Sequence, residues 1–294
     1  MKRILSLLLA ALLLCLCGCS GRAETADIAA TTLPVYDFTL ALCRGTPLTV
    51  TRLVTEEVSC LHDYSLNVQQ VKAAEAAEVI VLSGAGLEEF LEDLLTGREI
   101  IDASHGIELL TPQEHDHGHE EEDHSGHHHE ADPHIWLDPA NAQIMARNIC
   151  RELTLRYPQW EAVFSANLEE LIRQLEDLQR YGMETLENLS CREMITFHDG
   201  FAYFAHAFGL TILEAVEEES GSEASAKELI QLVEEVRYHR LPAIFTETNG
   251  SVSAADILCR ETGVSSFCLD MAMSGDSYLD AMYANIDTIK EALQ

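Results

Sequence analysis

The thirteen histidines of this 294-residue chain are unevenly placed. Seven of them (His115, His117, His119, His124, His127, His128 and His129) fall in the tract EHDHGHEEEDHSGHHHE, interleaved with acids. Neutral imidazole is the commonest metal ligand, and imidazole beside carboxylate forms a donor set for divalent cations. A tag would be an unbroken run at a terminus, and a plain solvated charge run would not hold seven histidines. Metal contact is therefore the chemistry this tract suggests. Its donors are many and interchangeable. They sit on a segment whose backbone must lose roughly 1–2 kcal/mol of entropy per residue fixed. That suits weak, unselective sites better than one tight site. His134 follows in a different setting, between Pro133 and the apolar run Ile135-Trp136-Leu137, which would anchor it to a core.

Two further histidines share the prospects of His134 in DPHIWLDP: His62 in SCLHDYS and His198 in ITFHDGFAYFA. All three are expected where strands give way to loops, and doubly wound folds bind ligands at the carboxyl ends of strands. Three separated histidines and one carboxylate would satisfy tetrahedral zinc. Taken singly, each is more often a hydrogen-bonded structural histidine than a ligand. Glu247, at the end of the strand PAIFTE, is a candidate acceptor behind a ligand imidazole, with a structural role equally open. His206, inside the helix after His198, reads as packed or exposed, and His239 ends a helix, where a cation favours the dipole. GAGLEE (84–89) is half of a dinucleotide fingerprint without its third glycine, and it reads as a helix-entry turn. No nucleophile stands with a base and no HExxH motif occurs, so no catalytic residue is expected.

The elements that would position these residues alternate. Strands are predicted over 27–32, 48–54, 78–84 and 99–104, with helices over 35–44, 67–77 and 87–95 between them. Such alternation argues for a parallel, doubly wound sheet. The acidic histidine tract, 113–131, interrupts it as a loop, since no core can form from those residues. Two helices follow. The second opens at Pro158 and carries apolar residues at Trp160, Phe164, Leu168, Leu171, Leu175 and Leu178, at spacings of three and four. Continued to about Asn188 it would span roughly 45 Å at 1.5 Å per residue, long enough to join two lobes. Strand–helix alternation then resumes to the end. The expected fold is α/β: two doubly wound lobes joined by one long helix. The expected boundaries are 19–140 for the first lobe, 141–189 for the connecting helices and 190–294 for the second lobe.

Residues 1–18 read as an export signal, with Lys2 and Arg3 before an apolar Ile4–Leu16 stretch too short for a comfortable membrane span. Leu16-Cys17-Gly18-Cys19 resembles a lipobox, which makes Cys19 the expected lipidation site. Loss of this segment takes the formal charge from −32 to about −34. A body so acidic will not seek nucleic acid. The six remaining cysteines contain no CxxC pair, so a zinc ribbon is unsupported, and spacing does not select among their possible disulfides.

HDYS, DPHIWLDP, FHDGFAYFA and the terminal DSYLDAM…NIDTIKEAL together resemble the zinc/manganese-type metal-binding solute receptors of ABC transporters, in their zinc branch. The resemblance covers roughly residues 25–294, and DPHIWLDP is its most specific piece. It implies two α/β lobes joined by a long rigid helix, with a metal cleft between the lobes and a His-rich acidic loop before the motif. It implies an extracytoplasmic, lipid-anchored, monomeric receptor that carries Zn2+ to a permease and is not an enzyme. Manganese or another divalent metal, or an adhesin or metal buffer on the same scaffold, are the alternatives. The implied ligands are His62, His134, His198 and Asp270, with Asp63 or water able to replace Asp270. Manganese-type members place Glu at the third position, where this chain has His198, and nitrogen donors favour zinc. The chain departs from the family pattern in having Cys60-Leu61 where Glu-Pro is usual, and Met-Ala-Met after Asp270.

Overall fold

The computed structural model describes residues 26–58, 61, 64–111, 131–216, 224–248 and 250–294. The export segment with Cys19, the histidine tract, His62 and Asp63 lie outside the described residues.

The first lobe runs β1 (Ile28–Ala30), α1 (Leu33–Cys43), β2 (Val50–Arg52), α2 (Val68–Ala76), β3 (Val79–Leu82), a 3-10 turn (Glu89–Leu91), α3 (Glu92–Leu95) and β4 (Glu99–Asp102). Two helices connect the lobes: α4 (Pro139–Arg156) and, after a 3-10 turn at Pro158–Trp160, α5 (Glu161–Thr185). The second lobe runs β5 (Glu193–Thr196), α6 (Ala202–Phe208), β6 (Thr211–Ala215), α7 (Ala226–His239), β7 (Ala243–Glu247), α8 (Ser253–Thr262), β8 (Ser265–Leu269) and α9 (Tyr278–Leu293). The strands form two parallel four-stranded sheets, in the orders β2-β1-β3-β4 and β6-β5-β7-β8. This is the two-lobed α/β fold that the alternation predicted.

The helix boundaries follow from local chemistry. Asn67 Oδ1 accepts the Gln69 and Gln70 amides while Gln70 Oε1 accepts the Asn67 amide, a reciprocal cap that opens α2. Ser225 and Glu228 do the same for α7. Asp138 caps α4 ahead of Pro139 at its first turn.

Two predicted helices differ from expectation. Residues 87–95 form a 3-10 turn and a four-residue helix rather than one regular helix. Glu88 is turned inward there, away from a helical surface. The long helix starts three residues after Pro158, following the 3-10 turn, and ends at Thr185. Its 25 residues span roughly 38 Å.

Side-chain alternation along the strands divides the apolar residues into three clusters. Ile28, Ala30, Val79 and Val81 of one sheet, with Met194, Ala243 and Phe245 of the other, face a single core that includes Leu171, Leu175 and Leu178 of α5. The alternate residues Ala29, Ile80 and Leu82 form a separate cluster on the outer face of the first sheet. Ile195 and Ile244 do so on the second, with Leu232 and Val236 of α7 and Leu258 of α8. Helix α5 packs on α1 and α4 and also on α9, so it belongs to both lobes at once. Gly182 lets it approach Phe208, because a Cβ there would run into that ring.

Candidate metal centre

The segments bearing His134, His198 and Asp270 meet at the seam between the lobes. His134 is buried and precedes a 3-10 turn, Ile135–Leu137, whose three side chains enter the shared core. It does not sit at a strand end as expected; the long segment after β4 separates it from that strand. The burial of Trp136 fixes it instead. Trp136 Nε1 donates to the Met271 carbonyl at 2.7 Å, and Tyr278 Oη donates to the Trp136 carbonyl at 2.7 Å. Met271, next to Asp270, and the start of α9 are thus tied to the turn that carries His134.

His198 follows β5 by two residues, as predicted, and the His134 and His198 ring centroids lie 5.4 Å apart, nearly perpendicular. Gly200 is required beside them. A Cβ there would run into Met271 Cε and lie 2.8 Å from His198 Cδ2. Glu247, at the end of β7, brings Oε1 to 3.7 Å from His198 Nδ1, on the side where an acceptor behind the ring was expected.

Asp270 directly follows β8. Asn285 holds its backbone from both sides, accepting the Asp270 amide at 2.8 Å and donating to the Asp270 carbonyl at 2.6 Å. The Ala272 amide donates to Asp270 Oδ1 at 2.7 Å. Burial raises the carboxyl above its ordinary range, the Ala272 amide pulls it back, and the nearby charge of Glu57 adds to the rise. A cation at the carboxylate would reverse that balance. Among the described residues no group of three or more His, Cys, Asp or Glu side chains is close enough to hold a metal ion. Two of the predicted ligands, His134 and His198, are brought together, and Asp270 stands on the adjoining loop.

The loop toward His62 is held at its base. Glu56 Oε2 accepts from Tyr64 Oη at 2.6 Å and from Gln70 Nε2 at 2.7 Å, and Gln70 Nε2 also reaches the Leu53 carbonyl at 2.9 Å. The tyrosine hydroxyl lowers the Glu56 carboxyl below its ordinary range, ahead of an opposing desolvation effect.

One residue of the centre escaped the sequence reading. Asp132 Oδ1 accepts the His134 amide at 2.9 Å and lies 2.8 Å from His134 Nδ1, with both side chains buried. The only signal for it was the two-residue spacing in Asp132-Pro133-His134, which many loops share.

The other candidates fall outside the centre. His206 is 70% exposed, with Asp138 Oδ2 at 3.9 Å. His239 lies between Glu193 at 2.9 Å and Glu235 at 3.3 Å. GAGLEE is a turn with positive φ at Gly84, Ala85 and Gly86. It sits where the strand order reverses between β1 and β3, the place such sheets keep for ligands. Here Glu88 fills that crevice: its carboxylate accepts from Thr31 Oγ1 at 2.7 Å and from the Ser83 and Gly84 amides at 2.6 and 3.0 Å. The five described cysteines, Cys43, Cys150, Cys191, Cys259 and Cys268, are free thiols. No helix among the described residues is long and apolar enough to cross a membrane.

Residues 28–292 match the family described as ZnuA, zinc-uptake complex component A periplasmic. The chain is 31% identical over 312 residues to the zinc-binding lipoprotein AdcA of Streptococcus pneumoniae R6, an alignment covering 99% of this chain and 61% of that protein. It is 28% identical over 302 residues to the high-affinity zinc uptake system protein ZnuA of Bacillus subtilis, covering 96% of this chain and 94% of that one. A crystal structure of ZnuA superposes with a TM-score of 0.76 at 29% identity, over 92% of this chain and 100% of that one. The chain therefore spans a little less than two thirds of the length of AdcA, and nearly the whole of the Bacillus protein.

Proposed function

Because the chain belongs to the ZnuA family of periplasmic zinc-uptake components, we propose that it is an extracytoplasmic receptor that captures Zn2+ at the seam between its lobes and delivers it to an ABC permease. The observation that carries this reading is the pairing of His134 with His198, 5.4 Å apart, inside a fold matched to the family from residue 28 to 292. Members of this family bind and hand over a substrate, and the chain is read as a receptor, not an enzyme. The cargo ligands are His62, His134, His198 and Asp270, with Glu247 as the acceptor behind His198. Three imidazoles and one carboxylate suit tetrahedral zinc better than an oxygen-preferring ion such as manganese. Residues 1–18 direct export and Cys19 takes the lipid that tethers a monomeric body. Lobes 19–140 and 190–294, joined through 141–189, flank the cleft. The histidines from His115 to His129 form the weaker sites, which gather zinc and pass it on.

The test is metal content and competitive zinc and manganese binding of a chain lacking residues 1–19 and the histidine tract. Zinc should be retained at one equivalent and should outcompete manganese. Replacing His62, His134 or His198 with Ala should lower zinc affinity by orders of magnitude in a folded protein. If two of these three variants bind as the parent does, the ligand set is wrong. If manganese wins the competition, the cargo is wrong. Zinc must also displace protons from its imidazoles, so affinity should fall toward acid. Calorimetry near pH 6 in buffers of different ionisation heat should register proton release, and a null result there would speak against histidine ligation.

A further inference from the structure

We propose that Asp132 is the positioning residue of the metal centre: it holds the proton of neutral His134 on Nδ1 and so presents Nε2 to the cargo. The inference rests on the reading of His134 as a ligand. A neutral imidazole has one donor and one acceptor nitrogen, and which is which depends on the partner of the other nitrogen. The same carboxylate oxygen, Asp132 Oδ1, takes the His134 amide and stands 2.8 Å from Nδ1. Oδ1 already accepts the amide hydrogen and meets Nδ1 as an acceptor too, so Nδ1 carries the hydrogen and Nε2 is left with its lone pair.

Asp132 is itself held from both lobes. Its amide donates to the Leu110 carbonyl at 2.9 Å in the first lobe. Its carbonyl accepts from Tyr203 Oη at 3.1 Å, and Tyr203 Oη in turn accepts the Leu110 amide at 2.9 Å. Tyr203 lies on α6, the helix that follows His198, so one buried set of hydrogen bonds spaces the two imidazoles. Pro133 has no amide hydrogen to compete for Asp132, and its ring narrows the backbone between Asp132 and His134.

The test uses the full mature chain with Asp132→Ala, Asp132→Asn and His134→Ala. Two readouts are needed: zinc affinity by chelator competition, and the His134 tautomer by nitrogen-15 NMR of the metal-free protein at a pH where the ring is neutral. The parent should show the Nδ1–H tautomer. Asp132→Ala should shift it toward Nε2–H and weaken zinc binding 10–100-fold. Asp132→Asn keeps an acceptor oxygen, and should recover the tautomer and most of the affinity. The proposal is overturned if Asp132→Ala binds zinc like the parent while His134→Ala does not. It is also overturned if the tautomer is unchanged in Asp132→Ala, or if Asp132→Asn is as weak as Asp132→Ala in a protein that melts like the parent. Parental binding by His134→Ala would overturn the ligand reading, and this inference with it. The tautomer measurement tells the two failures apart, because it reads the Asp132–His134 pair with no metal present.

Discussion

At the scale of single residues, the centre depends on close approaches that leave no slack. Gly200 is the narrowest. Gly200→Ala must push both Met271 and His198 aside, and overpacking of this kind costs about 1–3 kcal/mol. Zinc affinity should fall with stability, and chemical denaturation beside chelator competition would show whether both move. A variant losing neither would mean that the side chains yield freely. Glu88 makes a second prediction, with a definite sign. Burial pushes its carboxyl up from 4.5 to about 7, against the pull of the Thr31 hydroxyl and the Gly84 and Ser83 amides. Between those values the folded chain keeps a proton that the unfolded chain has released. The stability from this group is complete below pH 4.5 and is lost as pH rises toward 7, by on the order of 3 kcal/mol. Urea unfolding of metal-free parent and Glu88→Gln at several pH values should give a steeper decline for the parent. Identical slopes would rule this out.

At the scale of elements, Arg192 ties two helix ends together with one side chain. Its guanidinium donates to the Leu186 and Glu187 carbonyls after α5, and to the Phe208 and Gly209 carbonyls at the end of α6. It closes two helix ends that would otherwise leave orphaned acceptors. Arg192→Ala should cost about 2–4 kcal/mol by denaturant unfolding, given 1.5–3 kcal/mol for a hydrogen bond to a charged group. Lys should rescue little, since it lacks the planar fork. The histidine tract also departs from and returns to a fixed point, the Leu110–Asp132 bond. Deleting 114–130 should therefore remove the weak zinc sites and spare the tight one, as two-site titration would test. Loss of the tight site in a folded deletion variant would make the tract the site.

Most elements were legible because their signals are local. β-branched and apolar runs marked the strands, and Ser225, Ser253 and Gly263 marked helix ends within a residue. What failed needed partners distant in sequence. Residues 87–95 have a helical pattern, but Glu88 is drawn into a crevice made by β1 and β3. His198 and Asp270 could be placed at strand ends, whereas His134 is fixed by Trp136 reaching a loop 135 residues away, and Asp132 by a contact that no periodicity announces.

At the scale of the whole molecule, the shared core makes the two lobes one folding unit. The inner face of the second sheet, with Met194, Phe204, Tyr278 and Ile286, has its packing partners on α5 and in the first lobe. Thermal unfolding of the metal-free chain should be one transition with matching calorimetric and van't Hoff enthalpies, and residues 190–294 alone should not fold. Two resolved transitions would show that the lobes are independent. Zinc should raise the midpoint in proportion to the logarithm of its free concentration. The welded seam also bears on how a loaded receptor is told from an empty one. Swinging the lobes apart would break the Trp136–Met271 and Tyr278–Trp136 hydrogen bonds and strip the edge contact of Phe38 with Tyr278. On the proposed receptor reading, cargo would then enter and leave by the movement of side chains and short loops at the rim, with the outline of the molecule unchanged. A permease facing the receptor proposed here would have no jaw angle to sense and would have to read the texture of a small patch around the slot.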